Sequence, residues 1–193
     1  MFRLSLVMLM LLVPPAWADD VLDQVRAMLQ PQPIAVGHFR QTKQLAFLQQ
    51  PLVSEGEFVY AQSGGVIWNT VSPVASTVLI GGDRMISEQG EQALPPSFGQ
   101  LIPALLGGDF ARLRADFEIQ GSVQARSWRL QFLPKDPLLA KIVAELVLSG
   151  DSDLRGFDIL ESGGNRSSTV FEHISHPAQL TPAQAAEFER LSP

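Results

Sequence analysis

Arg126-Ser127-Trp128-Arg129-Leu130-Gln131-Phe132 alternates without a break. In an extended chain Trp128, Leu130 and Phe132 project to one side and Arg129 and Gln131 to the other, as in a strand with one apolar and one wet face. Pro134-Lys135-Asp136-Pro137 closes the stretch. Downstream, Ile142 to Leu148, Gly156 to Glu161 and Ser167 to Ile174 read as three more strands, joined at Asp151-Ser152-Asp153 and Gly163-Gly164-Asn165. Upstream, Ala115 to Gln120 is strand-like and Val36 to Thr42 alternates loosely. Gly56 to Tyr60, the turn Gln62-Ser63-Gly64-Gly65, and Val66 to Asn69 form a hairpin. Ser76 to Ile80 and Arg84 to Ser87 follow, after turns at Ser72-Pro73 and Gly81-Gly82-Asp83. Four strands in a row with short turns make an antiparallel meander.

Three segments carry a helical signal instead. Val21, Val25, Met28 and Leu29 follow the acidic start Asp19-Asp20 at helical spacing, and Pro31 and Pro33 end the run. Ser97 to Leu106 is apolar and interrupted by Pro103; Gly107-Gly108 follows, with Asp109 placed to cap a turn at Phe110 to Leu113. Thr181-Pro182-Ala183-Gln184 supplies an N-cap, Pro at the first helical position and Gln at the third, opening a helix through Phe188. About eleven strands and three or four short helices result, with no long-period repeat. A sheet of this size must curl or close. The helices are too few to cover both faces but suffice for one. The expected fold is mainly β, a curved antiparallel sheet with an apolar concave face and short helices as its lid.

Met1-Phe2-Arg3, the apolar run Leu4 to Val13, and Ala16-Trp17-Ala18 have the form of a cleaved export signal. The run is about half of the ~20 residues a spanning helix needs. Residues 1–18 are thus expected to be removed, leaving one domain over 19–193. Asp19 rather than Cys follows the cut, so no lipid anchor is expected there. In a Gram-negative cell the released chain would work in the periplasm. The full chain's 14 Lys+Arg against 20 Asp+Glu give a net charge of −6, which argues against nucleic acid. The same balance argues against an anionic lipid surface held by charge alone. Cys is absent, which excludes thiolate nucleophiles, Cys-based zinc sites and disulfides.

The order of certain segments resembles the periplasmic outer-membrane lipoprotein carrier family (LolA-like). They are Phe39-x-Gln41, Gly56-x-Phe58-x-Tyr60, Val66-Ile67-Trp68-Asn69-x-x-Ser72-Pro73 and Val78-Leu79-Ile80-Gly81-Gly82-Asp83. Gly108-Asp109-Phe110-x-x-Leu113, Trp128-x-Leu130-x-Phe132-x-Pro134-Lys135-Asp136 and Gly164-Asn165-Arg166-Ser167 resemble a divergent branch of it. The resemblance implies an unclosed β-barrel whose concave face, lidded by helices, holds acyl chains. Better-known carriers place an Arg-Pro pair before the aromatic-x-Trp strand, and that Arg latches the lid. Here the stretch is Ala61-Gln62-Ser63-Gly64-Gly65, with no Arg.

Phe58, Tyr60, Trp68, Val78, Ile80, Trp128, Leu130 and Phe132 are the candidate cavity wall. From composition alone they read as ordinary core between sheet and helices; the resemblance assigns them to a vacant apolar trough open to a guest. Leu101, Ile102, Leu105, Leu106 and Phe110 are lid candidates, or a static packed helix. Arg112 and Arg114 are candidates to face lipid phosphate or a partner, with a solvated helix face the plainer reading. His38, His173 and His176 are too scattered for a metal site. There is no Gly-x-Ser-x-Gly elbow and no phosphate-cradling loop. The expectation is therefore a non-enzymatic carrier with no cofactor and no metal. It would be a monomer shuttling a lipoprotein or other acylated lipid from an inner-membrane exporter to an outer-membrane acceptor. One alternative is an envelope-stress sensor module on the same fold that binds lipoproteins and signals to a membrane partner. The other is an acyl-ester enzyme, for which no nucleophile motif is present.

Overall fold

The computed structural model describes residues 18–30, 32–82, 84–93 and 101–191. The expected export signal up to Trp17, the turn residue Asp83 and the expected helix start at Ser97 to Gln100 lie outside them. Eleven strands form one sheet: β1 Ile34–Gln44, β2 Leu52–Ala61, β3 Gly65–Ser72, β4 Ser76–Gly81, β5 Arg84–Ser87, β6 Gly90–Ala93, β7 Phe117–Gln124, β8 Ser127–Pro134, β9 Val143–Gly150, β10 Leu154–Glu161 and β11 Arg166–Ser175. Their spatial order is β6-β5-β4-β3-β2-β1-β11-β10-β9-β8-β7, all antiparallel. Two meanders are thus joined at a seam where the first strand pairs with the last. The end strands β6 and β7 do not pair with each other, so the sheet curls without closing.

Glycine and aromatic residues set the curl beside that seam, between β1 and β2. Gly37 faces Phe58 and Phe39 faces Gly56 across β1 and β2. A Cβ on Gly37 would lie 2.8 Å from the Phe58 ring; one on Gly56 would lie 2.0 Å from the Asn69 carbonyl oxygen and 2.9 Å from the Phe39 ring. Each ring lies over bare backbone on the neighbouring strand, which lets the two strands fold inward together. β6 had no signal in the sequence. Gly90-Glu91-Gln92-Ala93 is exposed throughout, and only its ladder to β5 makes it a strand.

Three α-helices are described: α1 Ala18–Met28, α2 Leu101–Gly107 and α3 Pro182–Glu189. Two 3-10 turns, Phe110–Arg114 and Leu139–Lys141, accompany them. α1 buries Val21, Leu22 and Val25, and the amide of Gln30 just beyond it donates to the Ser152 carbonyl at 3.1 Å. α3 opens on the expected capping box. Gln184 N donates to Thr181 Oγ1 at 3.3 Å, and Thr181 N donates to Gln184 Oε1 at 2.9 Å.

Two expectations need correction. The helices do not all cover one face: α1, α2 and the first 3-10 turn lie on the concave side, but α3 sets Phe188 against Val59, Ala61, Ile67 and Leu79 on the convex side. That contact is possible because Gly64 has no Cβ, which would stand 2.8 Å from the Phe188 ring. Asp109 precedes the 3-10 turn but makes no side-chain cap; its carboxylate pairs with Arg112 at 2.8 Å instead.

Gly56→Ala is expected to lower stability by about 2–3 kcal/mol through overpacking, seen as a fall in the urea midpoint, because the Asn69 backbone cannot yield as a flexible side chain would.

Candidate functional site

Along β2 and β3 the residues facing inward are Phe58, Tyr60, Val66 and Trp68, matched in register as Phe58 with Trp68 and Tyr60 with Val66. β4 continues the same face with Val78 opposite Trp68 and Ile80 opposite Val66. Across the seam, β8 contributes Trp128, Leu130 and Phe132, with Leu130 opposite Leu148 and Phe132 opposite Leu146 on β9. All eight expected wall residues therefore share one concave surface.

That surface holds two aromatic groups. Phe39 stacks on Trp68 with centroids 4.0 Å apart, and Phe171 meets Phe58 at 4.9 Å and Phe157 at 5.8 Å. On the other side Phe132 meets Phe117 at 5.9 Å, and Phe110 meets Trp128 at 5.5 Å. Phe171, Phe157, Leu146 and Leu148 were not among the expected wall residues. Their signal was present as alternation in Thr169-x-Phe171 and Leu146-x-Leu148, but flanking apolar residues such as Val147 and Val170 blurred it. One polar pair crosses the floor: Gln41 Nε2 donates to Thr169 Oγ1 at 3.2 Å, and Thr169 is buried.

The trough is not vacant. Leu130 and Phe132 have 0% exposure, and Trp128 and Phe58 have 2%. The protein's own helices supply the cover: Val21, Leu22 and Val25 of α1, Leu101, Ala104 and Leu105 of α2, then Phe110 and Leu113. Leu106 is half-buried against the same core, and the side chain of Ile102 lies outside the description. Cover is incomplete over β3 and β4, where Trp68, Val78 and Ile80 are half-buried. A crevice of about 30 Å³ opens at the rim between Leu29, Leu105, Gly107, Gly108, Leu154 and His176. It is roomy enough for a water or two and too small for a hydrocarbon chain. The expectation of an empty cavity is therefore corrected: apolar side chains of the lid fill the space that a guest would need.

The lid meets the wall most tightly at Tyr60. A Cβ on Gly107, the last residue of α2, would lie 2.3 Å from the Tyr60 hydroxyl oxygen. Only glycine lets the helix end settle there. Burial raises the Tyr60 pKa, and the Asp109 carboxylate raises it further against the opposing pull of Arg112. The phenol is thus held neutral beneath the joint at Gly107-Gly108, and Gly108 has the left-handed φ of 71° that lets the chain turn from α2 into the 3-10 turn.

At the same end, His176 Nδ1 contacts the Ile34 carbonyl at 3.2 Å and Nε2 contacts Asp153 Oδ1 at 2.8 Å. The turn carrying Asp153 is built around Asp151, whose Oδ1 accepts from the Asp153 amide at 3.0 Å and from Arg155 Nε at 2.9 Å. Its carbonyl accepts from Trp128 Nε1 at 2.7 Å, so the turn also orients a wall residue. Partial burial works to raise the Asp151 pKa, but the Asp153 amide, Arg155 and Ser152 outweigh it and hold the carboxyl below its ordinary value. Arg112 is exposed and paired with Asp109, and Arg114 is exposed. His38 and His173 meet edge-on at 5.5 Å on the convex face. Among the described residues no group of three or more His, Asp or Glu is placed to hold a metal ion. No described helix is long and apolar enough to cross a membrane.

An open antiparallel sheet, apolar on its hollow side and plugged by short helices, defines a class of lidded half-barrels. The family described as outer membrane lipoprotein carrier protein LolA-like matches residues 14–190, and the chain belongs to that family. No protein of curated function matches it in sequence. Among solved structures, it is similar to a LolA superfamily protein from Nitrosomonas europaea, at 9% identity over 84% of this chain and 94% of that one, with a TM-score of 0.49. A DUF1329 family protein from Desulfovibrio piger shows 8% identity over 86% and 94%, also with a TM-score of 0.49. The Pseudomonas aeruginosa MucA/MucB complex contains a chain with 15% identity over 88% of this chain and 62% of that one, with a TM-score of 0.48.

Two outcomes are expected. Gly107→Ala should unseat α2 from Tyr60 and raise uptake of a fluorescent fatty-acyl probe several-fold, and adding Tyr60→Phe, which removes the nearest colliding atom, should bring uptake part of the way back. Asp151→Asn should lower the melting temperature at neutral pH. Because the folded carboxyl is the more acidic one, its stabilisation is present above the ordinary carboxylate range and is lost as pH falls through the folded value. The gap between wild type and variant should therefore close in acid, read by thermal unfolding at the two pH values.

Proposed function

We propose that the protein is a periplasmic carrier that shelters the acyl chains of a lipoprotein or other lipid against the concave wall, after α2 and the first 3-10 turn swing aside. The observation that supports this reading is the chemistry of the contact between lid and wall: it is apolar on both sides, so hydrocarbon can replace the lid without leaving a polar group unpaired. Fully burying a large aliphatic or aromatic side chain is worth about 1.5–3 kcal/mol, so Leu101, Leu105, Phe110 and Leu113 together contribute roughly 8 kcal/mol. Each buried methylene returns about 0.8 kcal/mol, so roughly ten methylenes of one chain match the lid they displace.

The exchange is therefore near balance for a single fatty chain and favours cargo with two or three. Near balance is what a carrier needs, since a guest held far more tightly than the lid could not be released. The half-buried Trp68, Val78 and Ile80 are where an incoming chain first meets the wall. Transfer between membranes would draw its energy from partners, an inner-membrane exporter and an outer-membrane acceptor, and the protein itself would act without catalysis or cofactor.

Native mass spectrometry of protein isolated gently from periplasm should show adducts of lipid mass, and delipidated protein should take up a fluorescent fatty-acyl probe. Lipid-free protein in repeated preparations, together with no probe uptake by either wild type or Gly107→Ala, would sink the reading.

A further inference from the structure

The large hydrophobic side chains left in water are not scattered. Of the nine most exposed among the described residues, all but Val170 lie at one end of the sheet. Strand directions place there the β1–β2 loop, the β3–β4 turn, the β8–β9 loop and the β10–β11 turn. Phe47 is 79% exposed, Val74 73% and Leu138 69%, with Leu48, Leu52 and Ile142 beside them. Three of these loops, β1–β2, β8–β9 and β10–β11, bind one another into a rim. Ala46 N donates to Asn165 Oδ1 at 3.0 Å, Ser162 N to the Ile142 carbonyl at 3.1 Å, and Ser162 Oγ to the Ala140 carbonyl at 2.5 Å.

The charge at this rim runs against that of the chain. The chain carries a net charge of −6, yet its three lysines, Lys43, Lys135 and Lys141, are all here with Arg166. Two carboxylates stand among them and keep their charge: Glu161 pairs with Lys43 at 2.9 Å, and Asp136 Oδ1 accepts from the amides of Leu138 at 2.6 Å and Leu139 at 2.9 Å, so four cations against two anions leave these loops with a positive excess. Glu88 and Glu91 lie on the β5–β6 turn and β6 at the edge of the sheet, where Glu91 pairs with Arg84 at 2.6 Å. Exposed Phe, Leu and Ile tips set among amines are the composition of a surface that dips into a bilayer and meets anionic headgroups.

We infer that this rim docks the protein on a membrane surface bearing anionic lipid, with the Phe47 and Leu138 loops entering the headgroup region. The crevice beside Gly107 and His176 is at the opposite end of the sheet, so docking leaves that end free. The inference does not depend on the carrier reading, since it concerns exposed residues outside the wall and lid.

Flotation with vesicles tests it. Wild-type protein should float with vesicles of phosphatidylcholine and phosphatidylglycerol in equal amounts, far less with phosphatidylcholine alone, and should be released by high salt. Phe47→Ser with Leu138→Ser should abolish flotation. Lys141→Glu should reduce it by roughly fivefold or more, since one basic residue near such a surface is worth about that factor. All three positions are exposed, so melting temperatures should match wild type, and acyl-probe uptake should be unchanged. Wild-type protein that stays down with the mixed vesicles, or variants that float as well as wild type, would overturn the inference. So would a concentration-dependent dimer, seen by sedimentation and lost in the double variant, without any vesicle binding; the rim would then be a contact between copies. Loss of probe uptake in wild type with flotation intact would count against the carrier reading alone.

Discussion

Everything in this molecule depends on the reciprocal placement of glycine and phenylalanine where β1 meets β2. Gly37 lies under Phe58 and Gly56 under Phe39, so each ring rests on a neighbour's backbone. Aromatic bulk on the inner side would ordinarily push the strands apart. With the opposing side chains deleted, that same bulk draws them inward, and a sheet that could lie nearly flat becomes a hollow. Without that hollow there would be no concave apolar face for α1 and α2 to fill.

The composition of the hollow decides how the cover behaves. Among the described residues Gln41 and Thr169 make a polar contact across its floor, and the lid that fills it presents Leu, Val, Ala and Phe. Apolar contacts of this kind have no directional preference, so a lid held by them can be exchanged for any hydrocarbon of similar area. The tight point is the joint, where Tyr60 receives the bare backbone of Gly107. The stretch Ala61 to Gly65 before the Trp68 strand carries no Arg, and this steric seat is where the end of α2 meets the wall.

Much of this was legible in the sequence. Trp128, Leu130 and Phe132 announced an inward face because charged and polar residues separate them. The hairpin through Phe58 and Trp68 was marked by its Gly-Gly turn, and α3 by the Thr181–Gln184 box. What stayed hidden has physical reasons. β6 has no apolar residue to bury, so only its hydrogen bonds make it a strand. Phe171 follows Val170, and Leu146 and Leu148 flank Val147, so period alone could not orient these runs. The occupied hollow was invisible because periodicity reports which side chains avoid water, not which partner shields them. The same limit hid the side of the sheet on which Phe188 would pack.

The position of α3 has a consequence for motion. With Phe188 wedged behind Val59, Ile67 and Leu79, the hairpin that carries Phe58 and Trp68 is braced from the rear as well as from the front. A sheet braced in this way cannot breathe to make room. On the proposed carrier reading, room for a guest therefore comes from the short helices and not from the sheet, which divides the fold between a stiff anvil and a separate latch-plate.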